Sequence, residues 1–281
     1  MPHAEFVDAL AAVFSRVRLT ANVFQAGNFC GVASMPMAAG AGHLHLLRAG
    51  RLTIEGPLTG SIELEAPAAV LFARPQIHRL SAGVDVDLVC AQIVLGGPSN
   101  PLERGLPDIM RFDLTEDDAL SDVLKVLFGE AASQGSARQV VLDRLAEVTV
   151  IYLLRRTLSH ADQRSGLLAG LAHPKLSRVL TQMHEEPAHN WSLERMADTA
   201  GLSRSTFAET FKATIGSAPG EYIQGWRLQL ARAGLEQGRS LKQVAREVGY
   251  TNLAALSRAL KRQFGGAARV LAHGEAIEKM N

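Results

Sequence analysis

The sequence predicts an α+β protein in three parts: a small β-barrel over residues 1–100, a helical pair over 101–170, and an all-α domain over 171–281 holding two helix-turn-helix units. Three observations carry this prediction. Residues 22–95 are short apolar runs broken by Gly and Pro, residues 115–158 place apolar side chains at helical spacing, and residues 172–265 contain an internal repeat.

A first helix is expected over about Glu5 to Val17. In the strand region, Leu44–Leu47, Leu52–Ile54, Ala69–Phe72 and Val86–Leu95 are apolar runs. Gly40, Gly50, Gly56-Pro57, Gly60, Pro67, Pro75 and Gly83 punctuate them. Many short strands at close spacing suit a barrel or sandwich. Gly96-Gly97-Pro98-Ser99-Asn100-Pro101 cannot continue a strand. Thr115-Glu116-Asp117-Asp118 then opens a helix with a capping residue and acids in its first turn, where the helix dipole favours negative charge; it should run to about Gly129. A longer helix from about Ala137 to Leu158 carries one apolar row at Val141, Leu145, Val148 and Tyr152 and another at Leu142, Thr149 and Leu153. So wide an apolar surface needs cover, from the barrel or from a second subunit, and a homodimer is expected. Ser159 to Gly170 reads as a linker.

With 281 residues, 47% of them hydrophobic and 20% charged, the chain is neither disordered nor collagen-like. No apolar run approaches the roughly 18 residues of a membrane span. The first residues mix Glu5, Asp8, Arg16 and Arg18 among apolar ones, unlike a secretory signal, so a cytoplasmic protein without a membrane partner is expected. Cys30 and Cys90 are too few for a disulfide framework. A net charge of +1 conceals an asymmetry: from residue 172 onward there are 15 Lys and Arg against 10 Asp and Glu, whereas the preceding residues hold 14 against 18. A basic end on an acidic body suits a polyanionic partner.

The repeat is the most informative feature. Ser192-Leu193, Met196-Ala197 and Ala200-Gly201 match Ser240-Leu241, Val244-Ala245 and Val248-Gly249 at a constant offset, and one residue further on Phe207, Phe211 and Ile215-Gly216 match Leu256, Leu260 and Phe264-Gly265. Ser192 and Ser240 are expected N-caps, Gly201 and Gly249 supply the positive φ of a tight turn, and Ser203 and Asn252 cap a second helix. Ala197 and Ala245 are small where the helices cross. Each unit is a helix-turn-helix, joined to the other by a helix from about Pro219 to Gln237. With the apolar stripe inward, the outer face of the first unit is Arg204, Ser205, Ala208, Glu209 and Lys212, and that of the second is Leu253, Ala254, Ser257, Arg258 and Lys261. A helix in the major groove presents such a face to base edges, with Lys212, Lys261 and Arg262 available to phosphates.

The run Ser192-Leu-Glu-Arg-Met-Ala-Asp-Thr-Ala-Gly-Leu-Ser-Arg-Ser-Thr-Phe207, then Phe211 to Gly216, Pro219 to Ile223, Arg227-Leu228, Ala231, Val244 to Tyr250 and Phe264-Gly265 resembles the DNA-binding domain of the AraC/XylS family. The resemblance implies a transcription regulator, often a dimeric activator, that binds double-stranded promoter DNA and works with RNA polymerase. There are departures. Leu256 and Leu260 stand where the family has aromatic residues, Ala268 replaces the usual proline, and Ala208, Glu209, Leu253 and Ala254 occupy positions that often hold long polar base readers. Small or apolar residues there suit thymine methyl contacts or weak readout.

Phe29-Cys30-Gly31, His45 to Gly50 and Pro75 to Leu80 resemble the cupin-type sensor domain of a subset of AraC-like regulators, among them the reactive-chlorine-sensing regulators. His43 and His45, two apart on a strand, project from one face. A metal-dependent cupin enzyme fused to a helical domain is the alternative, but the Glu that catalytic cupins place after the His-x-His is absent from Leu46 to Gly50. What remains is Cys30, His45, His78 and Cys90, residue types suited to tetrahedral zinc, with His43 an extra beside the family-like position. The two thiols could instead form a disulfide on oxidation, or Cys90 could be a small core residue and the signal a small organic molecule. Trp191 and Trp226 are expected in the core, while His160, His173, His184, His189 and His273 lie near termini or loops without ligand spacing. No Gly-rich phosphate loop, nucleophile elbow or Ser/His/Asp pattern is present.

Overall fold

Strand-forming apolar runs and capped helices segregate along the chain, and the computed structural model follows them. It describes residues 11, 13, 14, 19–35, 40–96, 103, 105–116, 118–159 and 166–265. The expected helix over 5–17 therefore lies mostly outside the described residues, of which 11, 13 and 14 are helical; His160, Ala268 and His273 lie outside them too. The strands and first two helices form one compact unit and the remaining helices another.

The first unit has seven strands: β1 (Leu19–Met35), β2 (Gly42–Ala49), β3 (Arg51–Gly56), β4 (Gly60–Glu65), β5 (Ala68–Phe72), β6 (His78–Leu95) and β7 (Ile109–Asp113). All pairings are antiparallel, in the order β4-β3-β6-β2-β5-β7, with β1 also on β6. The long β6 organises the sheet, because its first part pairs with β3 and its second with β2 while β1 follows it throughout. Inward side chains of six strands share one core that includes Leu47, Leu52, Ile62, Phe72, Leu80 and Cys90. Alternation puts Leu44 and Leu46 on the other face of β2, and both are buried, so this strand is covered on both faces. β7 falls in the stretch expected to be helical. Its five residues Ile-Met-Arg-Phe-Asp are recruited by pairing with β5, a long-range contact that local pattern does not report.

Two helices follow, α1 (Ala119–Ala132) and α2 (Arg138–Ser159). The cap of α1 is Asp118, whose carboxylate accepts from the N–H groups of Leu120 and Ser121, so the helix starts later than its acidic run suggested and only Asp122 lies in its first turn. α2 supports β1. Asp143 accepts from the Val23 N–H at 2.8 Å, and Gln139 Nε2 donates to the Val23 carbonyl at 2.7 Å, satisfying backbone groups that a sheet edge would leave open. Leu142, Ala146, Val150, Leu153 and Leu154 are buried. The row at Val141, Leu145, Val148 and Tyr152 is not, with Val141 and Val148 each 38% exposed.

In the second unit α3 (Leu167–Ala172), α4 (Ser177–Glu185), α5 (Leu193–Ala200), α6 (Arg204–Ile215), α7 (Pro219–Glu236), α8 (Leu241–Glu247) and α9 (Leu253–Phe264) follow. The expected linker thus ends in a helix, because Leu167 to Leu171 are apolar enough to be wholly buried. Ser192, Ser203, Ser240 and Asn252 cap α5, α6, α8 and α9 through side-chain oxygens, as their positions predict. Gly201 ends α5 at φ 62°, and Gly249 follows α8 at φ 76°. A Cβ at Gly249 would stand 2.6 Å from the Ala188 carbonyl oxygen, so only glycine allows the second turn to approach the loop between α4 and α5. Arg227 of α7 fastens the same loop by donating to the carbonyls of Pro187 and His189. Phe207 and Phe211 fill the core of the first helix-turn-helix, Leu256 and Leu260 that of the second, and Trp191 and Trp226 are buried. His184, in the last turn of α4 and so near a loop as expected, is buried beside Trp226 and 2.7 Å from the Tyr222 hydroxyl. Among the described residues, no helix is long and apolar enough to cross a membrane.

Candidate functional site

Pairing register decides which side chains meet inside the sheet. His45 pairs with Cys90 across β2 and β6, and His78 begins β6 opposite Met35 of β1. His45 Nδ1 lies 3.0 Å from Cys90 Sγ, His45 Nε2 lies 2.8 Å from His78 Nε2, and His78 Nδ1 lies 3.0 Å from the Gln76 carbonyl oxygen. A carbonyl only accepts, and this fixes every proton in the row. His78 Nδ1–H donates to Gln76, leaving Nε2 to accept from His45 Nε2–H. His45 Nδ1 therefore accepts from the Cys90 thiol.

The electrostatics agree with neutral rings. Burial, then the nearby rings of His78 and His43, holds the His45 imidazole well below its usual range. Burial also lowers His78, against the opposing effect of its Gln76 hydrogen bond. Burial pushes the Cys90 thiol far up, keeping it protonated. Phe72 stacks on His78 with centroids 4.3 Å apart, closing the apolar side of the cluster.

His43 belongs to this cluster more closely than its sequence position indicated. It is fully buried, its ring centroid is 5.1 Å from that of His78 and 6.0 Å from that of His45, and neither of its nitrogens has a hydrogen-bond partner among the described residues. The two-residue spacing on β2 was the signal for it. Phe24 meets His43 edge-on at 6.0 Å; it is the extra residue of a bulge, since Val23 pairs with Ala91 and Gln25 with Cys90. Nothing in the sequence marks that bulge.

Cys30 is not brought to the cluster. It is exposed and falls in an irregularity of the β1–β6 pairing, where Phe29 faces Val86 and Gly31 faces Ala82. Val86 is already about 13 Å along the strand from Cys90 at ~3.3 Å per residue, beyond the ~7 Å Cα separation a disulfide tolerates. Zinc does not fit the expected set Cys30, His45, His78 and Cys90. One thiol is elsewhere, and the two nitrogens of His45 face opposite partners. Among the described residues no group of three or more His, Cys, Asp or Glu side chains could hold a metal ion as arranged.

The second candidate site is the pair of helices α6 and α9. Arg204, Ser205, Glu209 and Lys212 are exposed on α6 with Ala208 half-buried, and Leu253, Ala254, Arg258 and Lys261 are exposed on α9 with Ser257 half-buried. The buried sides hold Phe207 and Phe211 in α6 and Leu256, Ala259 and Leu260 in α9. The outer faces are therefore those the repeat indicated, and each offers cations beyond its capped first turn.

A cupin family matches residues 8–159, and a helix-turn-helix domain family matches residues 196–272. A protein of Streptomyces lividans named as an AraC-like transcription regulator is 37% identical over 204 residues, 70% of this chain and 67% of that one. The RCS-specific HTH-type transcriptional activator RclR of Escherichia coli is 28% identical over 240 residues, 80% of this chain and 84% of that one. Two further relatives are spanned over only 50% and 42% of their length. Among solved structures, ToxT from Vibrio cholerae O395 superposes over 90% of this chain and 99% of its own, with 11% identity and a TM-score of 0.39.

Proposed function

The chain belongs to the AraC-like transcription regulators that carry a cupin domain, and from that premise we propose that it reads promoter DNA through α6 and α9 and senses a chemical signal at the imidazole–thiol row of its sheet unit. The observation that carries the DNA half is the duplicated unit whose second helix is capped by Ser203 or Asn252 and buries one face while exposing Arg204 and Lys212, or Arg258 and Lys261. Such helices fit the major groove, and two on one duplex would occupy grooves about 34 Å apart. Arginine reads guanine through two hydrogen bonds. Lys212, Lys261 and Arg262 suit phosphates, which fix register without reading sequence. The protein would act in the cytoplasm as a homodimer and recruit RNA polymerase.

Arg258→Ala is expected to weaken binding to a selected promoter site by roughly 1–3 kcal/mol and to relax preference at one base pair, measured by fluorescence anisotropy at fixed salt. An unchanged constant removes Arg258 from the reading face.

For the signal, the cluster supplies neutral, buried polar groups in an otherwise apolar core, one of them His43 with two nitrogens unpartnered among the described residues. We derive no step through zinc. A small molecule that hydrogen-bonds His43 would move Phe24. Phe24 adjoins Val23, whose N–H and C=O are held by Asp143 and Gln139 of α2, so the bulge links the cluster to that helix. An oxidant is the second reading, and the exposure of Cys30 supports that thiol as its target, since a protonated, buried Cys90 is a poor nucleophile. Aromatic disulfide reagent should label one thiol of the folded chain quickly and the second only on unfolding, and Cys30→Ser should remove the fast phase. Fast labelling that survives Cys30→Ser would overturn the assignment.

A further inference from the structure

We infer that the two reader helices recognise different base chemistry, α9 reading thymine methyl groups with Leu253 and Ala254 where α6 reads hydrogen-bonding edges with Arg204 and Ser205. This rests on the proposal that both helices enter major grooves. The repeat places Arg204 and Leu253 at the same position, the first residue of each reader helix, with Ser205 and Ala254 next. The first turn of a reader helix is the part that meets base edges. On α6 that turn is polar. On α9 it is apolar and uncovered: Leu253 is 40% exposed and Ala254 is exposed, while the core behind them is filled by Leu256, Ala259 and Leu260.

Charge around this apolar tip names its partner. Arg258, Lys261 and Arg262 are exposed on the same helix beyond the first turn, so whatever covers Leu253 must also carry negative charge. A duplex meets both conditions, because the thymine C5-methyl is the apolar group that the major groove displays between its phosphates. One turn further along, Glu209 on α6 stands where α9 has Arg258. A carboxylate accepts from the cytosine amino group and repels phosphate, whereas arginine favours guanine. The half-site under α9 should therefore pair thymine with a neighbouring guanine, and that under α6 should lack the thymine requirement.

The test uses the full chain. Sites are enriched from a random duplex library, and each thymine of the enriched site is replaced in turn by deoxyuridine, which keeps base pairing and removes only the methyl. One or two thymines confined to one half-site should lose about fourfold in affinity, the ratio expected for burying one carbon unit. Leu253→Ala should bind thymine and deoxyuridine duplexes alike at one of those positions, with its affinity for the deoxyuridine duplex close to that of the unsubstituted protein. Enrichment of a defined site with no deoxyuridine effect, or an effect that persists in Leu253→Ala and in Ala254→Ser, overturns the methyl contact and leaves DNA reading intact. Enrichment of no sequence at all overturns both.

Discussion

Lowering the pH from 6.5 toward 4 is expected to unfold the sheet unit selectively. The sign follows from where protons bind. In the unfolded chain His43, His45 and His78 take up protons near pH 6.5. In the folded chain His43 resists until about pH 4, chiefly through burial and then through repulsion from His78. His45 and His78 are lowered as well, both mainly by burial. Between those limits the unfolded state binds more protons, so stability falls as the pH falls and is level above about 6.5. His43 alone accounts for about 3 kcal/mol at ~1.4 kcal/mol per unit, against a total of about 5–15 kcal/mol for a domain. The window from pH 6.5 to about 5 is diagnostic, because carboxylates titrate below it. Hydrogen exchange followed by mass spectrometry should show β2 and β6 losing protection there. Hydrogen exchange in α6 and α9 serves as the internal control, since both helices lie in the helical unit. His43→Leu should flatten the dependence. Equal protection of β2 at pH 7 and pH 5 would contradict neutral imidazoles in the native state.

The features legible in the sequence are those that local chemistry decides. A serine one position before an apolar stripe caps a helix whatever surrounds it, and a glycine after two turns supplies positive φ, so Ser192, Ser203, Ser240, Gly201 and Gly249 could be placed in advance. That His43 and His45 share a face follows from the two-residue strand period. Which residues face them does not, because register across β1 and β6 depends on irregularities at Phe24 and Cys30. The β2–β6 register puts Cys90 against His45, the β1 shifts carry Cys30 away, and no residue type in the stretch announces either. Membership of β7 in the sheet and burial of Leu167 to Leu171 were illegible for a related reason: both depend on partners far along the chain. On α2, periodicity revealed two apolar rows. Only the structure tells which one is spent on the protein's own interior.

Val148→Asp is expected to convert a dimer to a monomer and to weaken binding to a two-site promoter about a hundredfold, while leaving affinity for a single site unchanged. Val141, Leu145, Val148 and Tyr152 recur at intervals of four, three and four, the spacing of a helix–helix seam, and they flank the buried row of Leu142, Ala146 and Leu153. Two copies related by a two-fold axis would set Leu145 against Val148 and Val141 against Tyr152, so the same stripe serves both partners. The edges of the stripe are already ordered: Arg144 pairs with Glu147, and Arg155 lies over the Tyr152 ring at 5.2 Å. A carboxylate at position 148 would be taken out of water in each copy, with a second carboxylate close by across the two-fold axis, a cost that outweighs what one aliphatic contact contributes. Because Asp143 and Gln139 of the same helix hold Val23 beside the Phe24 bulge, the stripe is also where a change at His43 would reach a second subunit. Sedimentation velocity on the two proteins, with anisotropy on one-site and two-site duplexes, separates the possibilities. A parent chain that stays monomeric at tens of micromolar, on DNA and off it, would leave the stripe without a second copy, and a Val148→Asp protein that still dimerises would move the interface elsewhere.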